Sequence, residues 1–435
     1  MSLMSLLAHR TASGQSVRVA LIGAGKFGAM FLAQVPTTPG LKVTGVCDLS
    51  PERARETCRK VGWSAERIAQ TTFSDSPWDL IDAPEVEVVI EATGDPMAGI
   101  AHARACFARK RHVVMVNVEA DALCGPLLAR EAAEAGVVYT LASGDQPALV
   151  AELVDWARSC GFEVVAAGKG TKYLRSYHAS TPETVWTHYG IDPRRAAEAG
   201  MNPRMFNSFL DGTKSAIEMA ALANACGLDA PEEGLGFPPC GVDDLPHVLR
   251  PVEDGGRLAR RGMVEVVSSL ERDGRPVHRD LRWGVFVVFA APSAYAARCF
   301  TEYGMVTDST GRYTAIYRPR HLIGLELNTA VLSAALRRES VGHPASWRAD
   351  VGAIAKRDLA VGEILDGEGG FRVWGRLMPA KRALAGGVLP IGLANKARLI
   401  RPVVAGTPVR WSDVALDETC EAVTARREME SIFQP

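Results

Sequence analysis

Alternation and periodicity divide the chain before any residue is singled out for chemistry. Across residues 17–22 (VRVALI), Val17, Val19 and Leu21 alternate with their neighbours and merge into an apolar run, the pattern of a parallel strand covered on both faces. A helix is predicted next, then a strand that ends at Asp48. Residues 50–62 start with the cap residue Ser50 and with Pro51 in the first helical position, keep helical period and close on Gly62, predicting a second helix. Strands follow at 86–91, 113–118 and 137–141, with helices at 98–109 and 126–135 between them. Such alternation predicts a doubly wound parallel sheet through residue 145.

The pattern then changes. A bridging helix is predicted over 148–160 and a strand over 163–167, which runs into a loop at 168–175. Residues 202–227 read as one long helix, and the Gly-, Pro- and Asp-rich stretch 227–261 as a covering loop. Antiparallel strands are predicted at 264–270, 283–290 and 313–317, then an amphipathic helix over 321–338 in which Glu326 interrupts an apolar run. From residue 350 on, short strands and turns replace helical period. The predicted fold is α/β: a Rossmann doubly wound parallel sheet over 1–160, a central α+β catalytic domain over 161–345, and a small β-rich domain over 346–435.

A length of 435 residues supports this division into several cores. Forty-nine basic against fifty acidic side chains remove any electrostatic case for nucleic acid or an anionic membrane as partner. Nine scattered cysteines with no CxxC pair read as reduced thiols, consistent with a cytoplasmic protein. The first residues, MSLMSLLAHRTASGQS, lack a basic region ahead of their short apolar patch, so no signal peptide is expected, and no run approaches a membrane span.

Candidate chemistry falls into three groups. Gly23-Ala24-Gly25-Lys26-Phe27-Gly28 follows a strand and opens a helix, and Asp48 stands twenty positions beyond Gly28. This context makes the glycines a dinucleotide fingerprint: Gly23 for the turn, Gly25 for close approach to a pyrophosphate, Gly28 for helix packing. Ala92, Thr93 and Gly94 end a neighbouring strand where a nicotinamide ribose would lie. Second, Lys169, Lys172 and Arg175 place three cations in seven residues beside Gly168 and Gly170. That loop either holds a phosphate or carboxylate or is simply a solvated basic loop. Third, Asp211, Lys214 and Glu218 fall on one face of the predicted long helix, as an ionisable site or as a salt-bridge ladder.

The motifs LIGAGKFGAMFLAQ, VMVNVEADALCGP, AAGKGTKY and FLDGTKSAIEMA, with the tail segments AKRDLAVGE and RPVVAGTPVRWSDV, resemble the homoserine-dehydrogenase-like oxidoreductases that carry a C-terminal SAF module. Within that group the chain is most similar to the 1-deoxy-D-xylulose 5-phosphate reductoisomerase-like enzymes. The resemblance implies NADPH, although Asp48 by itself argues for NAD; Lys26, Ser50 and Arg53 are available to a 2′-phosphate. It implies Lys214 as proton donor with Asp211 setting its position, and Glu218 beside them, where Asp211 and Glu218 could also hold a divalent ion. The Asp211–Lys214 spacing is one shorter than that group usually has, and Asn117-Val118-Glu119 stands where those enzymes carry Asn-Lys, which puts homoserine in doubt. The implied substrate is a phosphorylated small molecule held by Lys169, Lys172 and Arg175 in an interdomain cleft, with Asn117, Glu119 and Glu326 further substrate-site candidates. A homo-oligomer assembled through the central domain is expected. Oxidation of an amino-acid or sugar-acid alcohol, and a cofactor-binding sensor that moves no hydride, are the alternatives.

Overall fold

The computed structural model describes residues 2–434. The chain forms two compact units, residues 1–149 with 321–345, and residues 150–320 with 346–435.

In the first unit, helix α1 (Leu3–Ala12) precedes six parallel strands: β1 (Val17–Ile22), β2 (Leu41–Cys47), β3 (Thr72–Ser74), β4 (Val88–Glu91), β5 (His112–Met115) and β6 (Tyr139–Leu141). Their order is β3-β2-β1-β4-β5-β6, so the strand sequence reverses beside β1 and opens a crevice there. The connecting helices are α2 (Lys26–Gln34), α3 (Pro51–Lys60), the short α4 (Ala65–Ala69) and α5 (Pro77–Ile81), then α6 (Pro96–Ala108) and α7 (Val118–Glu134). Ser50 caps α3 by accepting from Arg53 N–H, as its place before Pro51 predicts.

Residues 321–345 return to this unit. Leu327, Ala330, Val331 and Leu332 join the core of Leu7, Val19, Phe31 and Leu32, and Leu141 N–H donates to Gly342. The amphipathic helix expected over 321–338 starts only at Asn328 and ends in a wide turn over Ser333–Arg337. Its first residues are held otherwise: a side chain at Gly324 would put its Cβ 2.4 Å from Phe27 O. Glu326 therefore lies ahead of the helix, accepting from Leu322 N–H.

The unit boundary falls within α8 (Gln146–Ser159). The second unit carries β7 (Glu163–Thr171), the short helices α9 (Val185–Tyr189) and α10 (Pro193–Glu198), α11 (Pro203–Asp211), α12 (Thr213–Cys226), and the strands β8 (Met263–Ser268), β9 (Val285–Ala290) and β10 (Tyr313–Arg318). The sheet order is β10-β9-β7-β8, with β7 parallel to β8 and antiparallel to β9. A hairpin of β11 (Ala349–Ala355) and β12 (Val373–Pro379) follows. Helix α12 packs on β7 and β8 and also on this hairpin. It is buried almost all round, which its alanine-rich composition allows.

Two further expectations are corrected in this unit. The single helix over 202–227 is two helices, because Gly212 adopts φ +92° between them, a left-handed conformation that costs glycine little. The basic loop at 168–175 is in its first half a strand. Gly168 and Gly170 lie so close to neighbouring backbone that an added Cβ would sit 1.8 Å from Glu265 O and 2.0 Å from Leu281 O. Beyond the hairpin, the tail carries the short helix Ala380–Ala385, two two-residue strands, and a longer helix that periodicity did not suggest, Glu421–Ile432, whose Arg426 pairs with buried Asp350.

Candidate functional site

The glycine turn in the first unit separates its three glycines by what each one meets. Gly23 has φ +99°, and a Cβ there would lie 2.5 Å from Ala92 O at the end of β4. At Gly28 a Cβ would lie 2.4 Å from Gly23 O, so this position lets α2 rest on the turn. Gly25 is different: its φ of −68° suits any residue, and no protein atom lies within 4 Å of an added Cβ. Neither strain nor packing requires glycine at this position. It also stands at the N-cap of α2 with no side chain satisfying the helix's first N–H groups, which leaves donors and a partial positive charge facing open space. A pyrophosphate fits both features.

Lys26 is exposed beside this opening, and Phe27 is partly buried against the core. Asp48, 8% exposed, spends one carboxylate oxygen on Ala24 N–H at 3.0 Å and the other on Ser50 N–H and the Arg53 guanidinium. The Arg53 side chain is itself 65% exposed. Thr93 Oγ1 donates to Glu91 at 2.6 Å, and Gly94 takes φ +72°. Asn117 caps α7, accepting from Ala120 N–H, and donates to Asp95 O at 2.8 Å and to Thr93 Oγ1 at 3.2 Å. It thus fixes the β4 end rather than projecting freely. Glu119 lies in the first turn of α7. Glu91, a strand residue that alternation alone did not mark, is fully buried, accepts from Thr93, lies 3.2 Å from His102 Nδ1, and keeps Oε2 without a partner.

In the second unit the charged residues lie inside. Lys169 on β7 is 3% exposed and pairs with Glu218, 2% exposed, on α12. Lys214 stands one turn before Glu218 on the same face of α12. Asp211, at the end of α11, is fully buried and turned elsewhere: its carboxylate accepts from Thr213 N–H at 2.9 Å and from Lys356 Nζ at 2.8 Å. Asp211 is thus committed to Lys356 and the Thr213 N–H across the left-handed turn at Gly212. Burial pushes its pKa up, against the pull of Lys356. Each carboxylate considered for a divalent ion faces a lysine instead, and among the described residues no three His, Cys, Asp or Glu side chains gather as a metal set.

The remaining predicted cations spread apart. Lys172 Nζ donates to His188 O at 2.6 Å and lies 5.4 Å from the centre of the Tyr189 ring, while Arg175 is exposed. Arg282 reaches the same Tyr189 ring at 5.8 Å and makes no side-chain hydrogen bond or ion pair with any described residue. Burial lowers the Lys172 pKa, and the Arg282 charge lowers it further. The predicted substrate residues thus divide, Asn117, Glu119 and Glu326 in the first unit and Lys169, Lys172 and Arg175 in the second.

Sequence reasoning missed Lys356, His178 and Arg282. Lys356 sits in AKRDLAVGE, 145 positions from the carboxylate it meets. His178 is pushed down to a pKa of about 4, mainly by burial, so it is neutral, and its Nδ1 lies 2.7 Å from Asp211 O. That acceptor requires the proton on Nδ1, leaving Nε2 to take the Tyr173 hydroxyl proton at 2.9 Å.

Residues 17–115 match the oxidoreductase family with an NAD-binding Rossmann fold, and residues 144–327 match the family described as oxidoreductase DRL, catalytic domain. No curated protein is significantly similar to this chain in sequence. Among solved structures, it is similar to a homoserine dehydrogenase from Thiobacillus denitrificans at 14% identity, over 79% of this chain and 83% of that one, with a TM-score of 0.45. It is also similar to a myo-inositol dehydrogenase from Lactobacillus casei at 14% identity, over 40% of this chain and 51% of that one, with a TM-score of 0.29. The chain spans about half the length of that protein and of other oxidoreductases it resembles. The glycine turn and the two family matches agree segment by segment: residues 17–115 are similar to an NAD-binding Rossmann domain of oxidoreductases, and residues 144–327 to a DRL oxidoreductase catalytic domain.

Proposed function

We propose that the chain carries out NADPH-dependent reduction of a carbonyl on a phosphorylated small ketose or polyol precursor, as a reductoisomerase-like enzyme. The observation that carries this reading is the Lys169–Glu218 pair with Lys214 on the same helix face, within the segment matching the DRL catalytic domain. Burying two charges costs several kcal/mol per ion before their attraction is counted, roughly the cost of a structural contact that apolar residues would make more cheaply. Such pairs concentrate where charge is used.

NADPH, when bound, supplies the hydride that adds to the carbonyl carbon. Lys214 then protonates the oxygen as negative charge develops on it, and Lys169 with Glu218 holds a fixed local field against which that charge forms. For the substrate's phosphate, Lys172 and Arg282 offer two cations near the Tyr189 ring, and the effect of Arg282 on the Lys172 pKa is one that a dianion bound by both would relieve. For the cofactor's 2′-phosphate, the exposed Arg53 stands at the Asp48 carboxylate, whose two oxygens already have partners; this favours NADPH over NADH.

The test is a steady-state assay with 1-deoxy-D-xylulose 5-phosphate and NADPH beside homoserine with either nicotinamide cofactor. Turnover of the sugar phosphate should exceed that of homoserine, and Lys214→Met should lower it by about two orders of magnitude with cofactor affinity kept. In Lys172→Met and Arg282→Met variants the KM should rise for the phosphorylated substrate and stay for its dephosphorylated analogue. Preferred turnover of homoserine would overturn the substrate, and near-normal turnover in Lys214→Met would overturn the proton donor.

A further inference from the structure

A cleft in the second unit lies on the side of α12 away from Lys214 and Glu218. Its interior volume is about 50 Å³, and it is lined by Gly212 just ahead of α12, by Ala216 of α12, by the loop 233–237, by His178, and by Trp374 to Leu377 of β12. Ala216 stands two positions from both Lys214 and Glu218, about 200° round the helix, so it faces roughly the opposite way from that pair. The cleft is therefore separate from the Lys214 face.

Part of its lining is aromatic: His178, Phe237 and Trp374. His178 stacks on Trp374 with ring centres 3.9 Å apart, and Tyr173 stacks on Phe237 at 3.9 Å. Both His178 nitrogens are already used, so it presents a neutral ring face rather than a hydrogen bond. The wall at Phe237 is held in a costly shape: its φ is +46°, and buried Glu265 accepts from Gly236 N–H at 3.0 Å and from Phe237 N–H. Backbone held off its preferred region by a buried carboxylate is the kind of strain that accompanies a formed site.

One cation enters this setting. Arg376 is half-buried, burial lowers its pKa, and its guanidinium makes no hydrogen bond or ion pair with any described residue. Glu233, also lining the cleft, pairs with Arg382 instead. A partly desolvated guanidinium with open donors beside aromatic faces is suited to a planar anion, which it can bind through two parallel hydrogen bonds.

We propose that this cleft binds a small organic anion, a carboxylate or a phosphate monoester, whose oxygens pair with Arg376 and whose flat apolar part lies against the aromatic wall that Trp374, His178 and Phe237 form. Calorimetric titration of the full chain with benzoate, with phenyl phosphate and with uncharged benzyl alcohol tests it. At least one anion should bind, the alcohol should not, and Arg376→Leu should weaken the anion about tenfold or more, with Arg376→Lys between the two. Whichever anion binds more tightly identifies carboxylate or phosphate as the natural group. Because removing an unpaired guanidinium leaves no partner unsatisfied, Arg376→Leu should melt at or above the wild-type temperature; Leu235→Trp, which fills the cleft mouth, gives a second variant that should also block binding. Absence of anion binding, or equal affinity in Arg376→Leu and Leu235→Trp, would overturn the proposal.

Discussion

The two units organise their functional groups in opposite ways. In the first, the cofactor cradle is made of what is missing: Gly25 keeps a space that no protein atom fills, and helix N–H groups face it. In the second, the candidate groups are side chains buried against one another, Lys169 with Glu218 and Lys356 with Asp211, across 49 and 145 positions of sequence. A backbone cradle tolerates sequence change around it so long as the glycines stay. A buried charge pair fails when either member is lost.

The sharpest test of that contrast is Gly25→Val. Since its φ is ordinary and its surroundings are open, the variant should fold with an unchanged melting temperature while calorimetry finds no nicotinamide-dinucleotide binding. Gly28→Val should do the reverse and damage the fold, because its Cβ meets Gly23 O. Normal cofactor affinity in folded Gly25→Val would remove the cradle from the comparison.

In the second unit, Lys356→Met leaves the Asp211 carboxylate buried with only Thr213 N–H. Urea unfolding should show a loss of about 3–5 kcal/mol, most of it recovered in the double variant Lys356→Met with Asp211→Leu. A neutral single variant would mean that the charge pair contributes nothing that apolar packing could not.

Arg53→Ala probes the exposed edge of the first unit. NADPH affinity should fall about tenfold, near 1.4 kcal/mol, with NADH affinity unchanged. Equal losses for both cofactors would mean that Arg53 acts only through Asp48.

The smallest effect should come from a feature the units share. Burial raises Asp121 in the first unit and Glu265 in the second to pKa values of about 7, from ordinary carboxylate values of 3.8 and 4.5. The folded state then binds more protons than the unfolded chain between those limits, so these groups add stability at low pH that is lost as pH rises through about 7. Asp121→Asn and Glu265→Gln should each flatten the fall of stability between pH 5 and 7, read from melting temperatures (about one proton's worth of slope). An unchanged slope would show that the carboxyls are not protonated in the fold.

Much of the first unit was legible in the sequence because its signals are local. Strand period, the Ser50-Pro51 start of α3 and the spacing from Gly28 to Asp48 are all set within a few tens of residues, and the sheet follows them. Where local pattern misled, a contact from elsewhere decided. Helical period runs unbroken through 202–227, yet Gly212 turns the chain, so Asp211 meets Lys356 while Lys214 and Glu218 keep a face of their own. Likewise the glycines at 168 and 170 suggested a loop, but they are small because the Glu265 and Leu281 backbones press against them in the sheet.

By itself, the sequence determined the dinucleotide turn, the parallel sheet and the residue types on α12, since hydrophobic period and glycine placement act between near neighbours. Only the tertiary structure decided which charges meet, that Lys169 lies inside a strand, and that residues 321–345 complete the first core. Partner choice among buried charges depends on distances through space, which the order of residues along the chain does not encode locally.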